Sequence, residues 1–291
     1  MGLVRFWPVP VGVLLVAGCA SIIGIPSGSA SFCARAENQG HDYCEDYDVG
    51  DPLGRIPATD RAQQGSSTMT IQSSDDSPPN LIDFLAHGTD ADAAVHAVAG
   101  YYKTFTKKFV GLRLDADLEI VTHGGTLAGG AGFLLVGSSP GACLGFAVLP
   151  GSQVGLPPDK ALFTAIYVPQ GAGGCGSLVA LGAGGLPLGA IGMGDAGMAD
   201  AGAQPSIVLV PALDQWFHVT VQVQPDPGGT GAGILLLRAG LSSTQLAMPP
   251  GTVPPDGQPI VGLASAPTSA FVEEMKFDNV TIDVAPQQLA P

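Results

Sequence analysis

Apolar and polar residues alternate with a period of two along much of this chain. From Val110 to Ile120 every even-numbered residue is apolar. Successive side chains of a β-strand point to opposite faces, so such a run is typical of a strand with one buried face. The pattern predicts that Leu112, Leu114, Ala116, Leu118 and Ile120 lie in the core and that Arg113, Asp115, Asp117 and Glu119 lie on the opposite face.

A second run, Trp216 to Val223, alternates in the same way and predicts that His218, Thr220 and Gln222 face outward. Gly and Pro clusters separate nearly all the apolar or alternating runs of the chain, as turns separate strands. This spacing predicts an all-β protein built as an antiparallel sandwich or barrel. The runs cover 69–72, 81–85, 109–121, 132–136, 144–149, 161–168, 207–210, 216–223, 234–238, 260–264 and 271–284.

One short helix fits between residues 89 and 102. Thr89 can cap it, Asp90 and Asp92 favour a first helical turn, and Ala-rich sequence follows. A strand from His96 to Tyr102 is the alternative interpretation.

The first residues have the pattern of a secretory signal: Arg5, an apolar run from Val9 to Gly18, and small residues before Cys19. With cysteine at the cut, Leu15 to Cys19 resembles the lipobox of bacterial lipoproteins. The resemblance implies cleavage before Cys19, lipidation of its sulfur, and a mature protein anchored to a membrane by acyl chains. It therefore implies export, to the outer membrane or cell surface of a Gram-negative-type bacterium.

Two alternatives to the lipid anchor remain open. An uncleaved membrane helix needs about 20 apolar residues, and this run is shorter. Secretion with cleavage near Ser29 and Ala30 is the other, because small residues precede that position as well.

The cysteine count agrees with export. Without Cys19, four of the five cysteines remain, an even number that suits two disulfides in an oxidising compartment. Three connectivities are open, and the sequence-local one is preferred: Cys33 with Cys44, and Cys143 with Cys175. No CxxC or CxH spacing favours a metal site instead.

Composition limits the function classes. Of the 291 residues 46% are hydrophobic and 12% charged, which excludes a disordered chain. The net charge of −14 argues against nucleic acid as a partner, since a phosphate-binding face needs clustered Lys and Arg.

The predicted organisation is a signal peptide over 1–18, a lipidated Cys19 and flexible tether over 19–31, one domain over 32–285 and a tail over 286–291. A Gly-rich loop spans 171–203. It contains a formal GxGxxG match from Gly171 to Gly176, but the Gly and Pro residues that follow exclude the helix that a dinucleotide site requires.

Short landmarks in a fixed order resemble the LamG-like jelly roll of the concanavalin A-like lectin and glucanase superfamily. The resemblance spans Phe32 to Val284 and implies a two-sheet antiparallel jelly-roll sandwich in which an early acidic strand lies beside a late Phe-Asp-Asn-Val strand. It also implies a sheet that receives sugar or protein ligands. The landmarks are 32–33, 42–48, 77–81, 216–219, 260–263 and 277–280.

The strand with Asp115, Asp117 and Glu119 also resembles the E-x-D-x-E strand of family 16 glycoside hydrolases, with Asp in the first place. That resemblance implies a nucleophile and an acid/base on one strand face. The competing interpretation is a half-exposed strand with a solvated acidic face, and it is preferred.

No cofactor is expected, and calcium is the one ion for which the chain offers candidate ligands. Asp46, Asp48 and Asp278 head an acid-rich set that also includes Asp42, Glu45 and Asp51. The preferred interpretation of this set is a solvated acidic surface. The five histidines are scattered and are assigned no metal.

The sequence therefore predicts a membrane-anchored lipoprotein whose sandwich domain is a non-catalytic binding or adhesion module for carbohydrate or an envelope protein. The first alternative is a glycan hydrolase or lyase that uses Asp115, Asp117 and Glu119. The second is a structural envelope component without a ligand. Asn279 begins a formal glycosylation sequon, and a role at a turn or sheet edge is the preferred interpretation.

Overall fold

The fold was analysed in a computed structural model of the chain. It describes residues 31–73, 80–87, 98–107, 110–122, 130–139, 143–150, 157, 161–168, 186–187, 208–209, 213–248, 258–267 and 272–284. Every strand pair in these ranges is antiparallel. None of the helices found within them has the length and apolar character that crossing a membrane requires.

The described residues form sixteen strands, numbered here in chain order. They are β1 Tyr43–Glu45, β2 Arg61–Gln64, β3 Ser66–Ser73, β4 Asn80–His87, β5 Val98–Thr104, β6 Leu112–Val121, β7 Gly130–Ser139, β8 Cys143–Pro150, β9 Ala161–Val168, β10 Leu186–Pro187, β11 Val208–Leu209, β12 Phe217–Pro225, β13 Gly233–Ala239, β14 Ser242–Met248, β15 Gln258–Pro267 and β16 Val272–Val284.

The strands form two eight-stranded sheets. Sheet A has the order β14-β13-β12-β6-β16-β4-β3, with β1 also paired to β16. Sheet B has the order β10-β9-β8-β7-β15-β5-β2, with β11 also paired to β9. The last two strands, β15 and β16, lie inside opposite sheets and contact each other across the core. The predicted two-sheet antiparallel jelly-roll sandwich is confirmed.

The core lies between the sheets and is built by the alternation that the sequence shows. On β6 the five predicted core residues are at most 1% exposed. Phe277 on β16 and Phe84 on β4 pack with ring centroids 5.5 Å apart, and Phe84 meets Tyr101 of β5, on the other sheet, at 6.1 Å. The residues on β6 are Leu112, Leu114, Ala116, Leu118 and Ile120.

The early acidic strand lies beside the late Phe-Asp-Asn-Val strand, as the jelly-roll resemblance implies. Cys44 on β1 is paired with Thr281 on β16, and Glu45 with Val280. A disulfide joins Cys33 to Cys44, which is the preferred pairing of these two cysteines. The disulfide therefore links the segment before β1 to β1 itself, which pairs with β16 of sheet A.

Tyr47 follows β1, and the structure gives its hydroxyl a partner. Its side chain is fully buried, and its hydroxyl lies 2.7 Å from that of Tyr101. Burial raises the pKa of both phenols well above the ordinary value. A buried hydroxyl needs such a partner, so the phenol is tolerated inside the sandwich.

Val98–Thr104 is a strand, so the helix predicted near 89–102 is wrong over residues 98–102, and the alternative strand is confirmed there. Ala99 and Gly100 pair with both β2 and β15, and this two-sided sheet pairing outweighs the helical preference of an Ala-rich run. Residues 88–97 lie outside the described residues. The α-helix found, Pro52–Arg55, is a single turn capped by Asp51, whose side chain accepts from the Gly54 amide at 2.9 Å.

Several predictions concern residues outside the described ranges: the signal peptide and Cys19, the tether up to residue 30, Cys175, the tail, and the Gly-rich loop apart from β10. Cys143 lies at the start of β8. Its pairing with Cys175 and the domain boundaries stay predictions.

Gly100 of β5 lies where the packing against β15 leaves no room for a side chain. A Cβ there would lie 2.5 Å from the Leu263 carbonyl oxygen and 2.6 Å from the Ala264 Cβ. We expect Gly100→Ala to lower the free energy of unfolding by about 1–3 kcal/mol, the usual range for overpacking. Denaturant unfolding measures this.

Gly40→Ala is the matched control, because a Cβ at Gly40 meets nothing within 4 Å. Equal unfolding midpoints for the two variants would contradict the close approach of β5 and β15.

Candidate functional site

The outer face of sheet A carries the polar side chains of β6, β12 and β16, and it is called here the polar face. The register sets its rows: Thr220 of β12 lies opposite Asp115 of β6, and His218 lies opposite Asp117. On the other side of β6, Glu119 lies opposite Lys276 of β16. The predicted carboxylates Asp115, Asp117 and Glu119 therefore lie on one face of a central strand, as the alternation predicts.

Asp115 is the most enclosed carboxylate of this strand, at 8% exposed. Arg113, two residues before it, donates from Nε to Oδ2 at 2.5 Å and from Nη2 to Oδ1 at 3.0 Å. Thr220 donates its hydroxyl to Oδ1 at 2.6 Å. Burial alone would raise the pKa of Asp115, but hydrogen bonds from His218, Arg113 and Thr220 lower it to about 2. Asp115 is thus held as a fixed carboxylate.

His218 bridges two carboxylates from the exposed side of the same face. Its Nδ1 lies 2.9 Å from Asp117 Oδ1, and its Nε2 lies 3.4 Å from Asp115 Oδ1. The hydrogen bonds with Asp115 and Asp117 raise the pKa of His218 to about 9, against the opposing effect of burial. The imidazole is therefore a cation at neutral pH, with half of its side chain exposed.

A break in the strand register brings the side chain of Asn279 to the second carboxylate oxygen of Asp117. One extra residue lies between Asp278 and Thr281 of β16, relative to β6. Asn279 has φ +50° there, and its Nδ2 donates to Asp117 Oδ2 at 2.8 Å. A β-bulge re-aims a side chain in this manner. Asn279 lies at a bulge in the middle of sheet A, so its predicted place at a turn or sheet edge is wrong.

The third predicted carboxylate, Glu119, belongs to a separate group around Lys276. The Lys276 ammonium lies 3.4 Å from Glu119 Oε2 and 3.7 Å from Glu274 Oε1. Across β16 the next residue of the row is Asp83 of β4, which accepts a hydrogen bond from Gln72. Burial, with the nearby Glu274 charge, raises the pKa of Asp83 to about 6.

Thr220 and Gln222 lie on the polar face as predicted, but they are not solvated. They are 3% and 5% exposed, because neighbouring strands flank β12 on both sides. Trp216, which is partly buried, comes two residues before His218. The alternation predicts the face on which a side chain lies, and the pairing of strands far apart in sequence decides how deeply it is buried.

The candidate calcium ligands are engaged with the protein's own backbone. Asp46 accepts from the amides of Cys33 and Asp48, at 2.8 and 3.3 Å. Asp48 accepts from the Asn80 amide at 3.1 Å, and Asp278 from that of Asn279 at 2.7 Å. Among the residues that the structure describes, no group of three or more His, Cys, Asp or Glu side chains is placed to hold a metal ion.

Arg113, Lys276 and Asp83 are site residues for which the sequence predicts no role, and for Asn279 it predicts only a place at a turn or sheet edge. Arg113 stands two residues from Asp115, so a same-face ion pair was open to inference from the period of two. The contacts of Asn279 and Asp83 depend on a bulge and on cross-strand register, for which the local sequence carries no signal.

Comparison with known proteins gives similar folds at low identity. No protein-family model matches the chain, and no curated protein matches it. An alginate lyase from Aplysia kurodai is similar over 86% of this chain and 99% of its own, with 11% identity and a TM-score of 0.47. An endo-β-1,4-glucuronan lyase from Trichoderma reesei is similar over 86% and 95%, with 9% identity and a TM-score of 0.46.

The carbohydrate recognition domain of Emp47p is similar over 81% of this chain and 100% of its own, with 10% identity and a TM-score of 0.41. The similar structures thus include both polysaccharide lyases and a carbohydrate-recognition domain. Function is argued below from the side chains of this chain alone.

The charge of His218 makes the stability of the polar face depend on pH. A raised pKa means that the stabilisation is fully present below the ordinary histidine value of 6.5 and is lost as the pH rises through about 9. We expect the unfolding free energy of the wild type to exceed that of His218→Gln at pH 6, and the difference to shrink steadily up to pH 10. Denaturant unfolding across this range, with the imidazole titration followed by NMR, measures both.

Asp117→Asn provides the comparison, because it removes one of the two charges beside His218. Its imidazole should titrate at lower pH than that of the wild type. A wild-type midpoint near 6.5, unmoved by Asp117→Asn, would contradict the bridging contact.

Proposed function

We propose that this protein is an exported, membrane-anchored lipoprotein whose jelly-roll domain binds carbohydrate on the polar face of sheet A and does not cleave it. The observation that carries the proposal is the complete engagement of Asp115 and Asp117. Each of their carboxylate oxygens accepts at least one hydrogen bond from the protein or lies against His218.

Hydrolysis with two carboxylates requires one of them to be protonated near neutral pH, so that it can donate to the leaving oxygen. Asp115, whose pKa is lowered to about 2, fits only the ionised partner, the nucleophile, and Arg113 and Thr220 already hold both of its oxygens. A lyase requires a base that can accept a proton, but His218 already carries one below about pH 9. The strand of Asp115, Asp117 and Glu119 is therefore better suited to binding than to catalysis.

Carbohydrate suits this face because its polar groups are fixed and closely spaced. Saccharide hydroxyls both donate and accept hydrogen bonds, and a site binds them well when its own groups are held before the ligand arrives. Arg113, Thr220 and Asn279 hold the carboxylates in place, while His218 and Asp117 keep a half and a third of their side chains exposed. The exposed parts can contact a ligand without losing their internal partners.

Export and anchoring are proposed on different grounds. The disulfide between Cys33 and Cys44 is of the kind that persists in oxidising compartments. The sequence up to Cys19 resembles a lipobox. Nucleic acid is not proposed as a partner, because the protein is acidic and has few Lys and Arg. A lipid on Cys19 would place the domain at a membrane surface, where an envelope protein is the alternative partner.

A glycan array probed with the full-length protein in detergent tests the binding function. We expect binding to at least one saccharide, and His218→Ala should weaken it about tenfold, the cost of losing one charge-assisted hydrogen bond. His87→Ala is the matched control, because His87 is exposed at the end of β4. Incubation with each bound polysaccharide should release neither reducing ends nor unsaturated products.

Three results would count against this proposal. Binding to no glycan, together with capture of an envelope protein, would favour adhesion to protein. Binding to neither, with altered envelope integrity in a deletion strain, would favour a structural component. Product release that is lost in Glu119→Gln would instead favour the hydrolase or lyase.

The anchor is tested by following the protein after cell fractionation. We expect the wild type in the membrane fraction, with mass spectrometry finding acyl chains on an N-terminal Cys19. Cys19→Ser should abolish lipidation and processing at this position. A mature N-terminus near Ala30 in the wild type would show that the protein is secreted without the lipid.

A further inference from the structure

Two buried acceptors of the polar face lack a donor within the described part of the chain. They are Oδ1 of Asp83, on β4, and Oε1 of Gln222, on β12. Asp83 is 4% exposed and Gln222 is 5% exposed, so neither oxygen is freely solvated. An unpaired buried acceptor costs about 1–3 kcal/mol, and its persistence in a fold calls for an explanation.

Both residues belong to the outer side of sheet A, where β6 and β16 carry the charged groups described above. Gln222 is flanked by Arg113 of β6 and Leu236 of β13. Asp83 is flanked by Lys276 of β16 and Thr70 of β3. The two positions lie on either side of the row of His218 and Asp117. The same face therefore needs hydrogen-bond donors at two places.

The cations of β6, β12 and β16 are already matched by carboxylates. Arg113 is bidentate on Asp115, and His218 lies between Asp115 and Asp117. Lys276 contacts both Glu119 and Glu274. Asp83 brings the carboxylates of these groups to five, and the exposed Arg238 of β13, opposite Thr220, brings the cations of this face to four. A further carboxylate brought by a ligand to β6 and β16 would therefore meet like charge.

We infer that the polar face selects neutral, hydroxyl-rich saccharides and discriminates against polyuronates. The inference rests on the proposed function and names the substrate class of the same site. A ligand hydroxyl can supply the donor that each oxygen lacks, directly or through a bridging water, when the side chain turns its buried oxygen toward the outer surface. A uronate adds acceptors and negative charge to a face that has an excess of both, and such an arrangement suppresses wrong ligands.

Matched pairs of oligosaccharides test the inference, each neutral chain beside the chain oxidised at C6 with the same linkage and length. Glucan with glucuronan and mannan with mannuronan are such pairs. We expect every saccharide that binds to be the neutral member, with its uronate counterpart at least about tenfold weaker, measured by calorimetry at low and physiological salt. Lowering the salt should not rescue uronate binding, because the repulsion is then less screened.

Variants assign the discrimination to the two groups of side chains. Gln222→Leu removes the orphan acceptor and should weaken neutral binding about tenfold without lowering the unfolding midpoint. Gln245→Leu is its control, since Gln245 lies exposed on β14 in the same row. Glu119→Gln leaves more of the Lys276 charge uncompensated and should raise uronate affinity while it leaves the fold intact.

The outcomes separate the inference from the proposed function. Uronates that bind as tightly as the neutral chains, or more tightly, would overturn the neutral preference and leave carbohydrate binding standing. Equal effects of Gln222→Leu and Gln245→Leu would overturn the role of the orphan acceptor. Binding to no saccharide of either kind would overturn both proposals.

Discussion

The pairing of β6 with β12 on one side and β16 on the other is the constraint on which both the core and the polar face depend. β6 gives its even-numbered residues to the core and its odd-numbered residues to the polar face, so one register sets both. A shift of one residue would exchange the two sets, burying Asp115, Asp117 and Glu119 among apolar side chains. The core fixes the register, and the register then brings His218 and Lys276 to the carboxylates.

The chemistry of the site follows from partners more than from the carboxylates themselves. Three acidic residues at alternate positions would be candidates for catalysis if one were kept neutral. Here Arg113 and Thr220 hold Asp115, Asn279 and His218 hold Asp117, and Lys276 lies beside Glu119. Such pairing restrains the three side chains and keeps Asp115 in its charged form, which favours recognition of a ligand over proton transfer.

The sequence predicts well what depends on a local period. The alternation on β6 and β12 identifies the strands, the core residues and the face that carries the polar groups. It does not predict how deeply Asp115, Thr220 and Gln222 are buried, because that depends on strands more than 100 residues away in the chain. The bulge at Asn279 is not predictable for the same reason. The local sequence leaves both a helix and a strand open near residues 98–102, and pairing within sheet B selects the strand.

The polar face also shows why a similar fold gives little information about which ligand a protein binds. A jelly roll offers an outer sheet surface to many chemistries, and the side chains of that surface decide which one is used. In this chain the cations of β6, β12 and β16 form matched ion pairs, and two acceptors are left over, at Asp83 and Gln222. That pattern differs from an array of uncompensated cations, which an acidic polysaccharide would require.

Chemical-shift mapping by NMR, with a neutral oligosaccharide added to the labelled protein, tests the central claim most directly. The account predicts saturable shifts at the His218 imidazole, the Gln222 side-chain amide and the backbone of β6 and β12, while the saccharide signals stay unchanged in number over time. Shifts confined to sheet B, or new saccharide signals that grow with incubation, would contradict it.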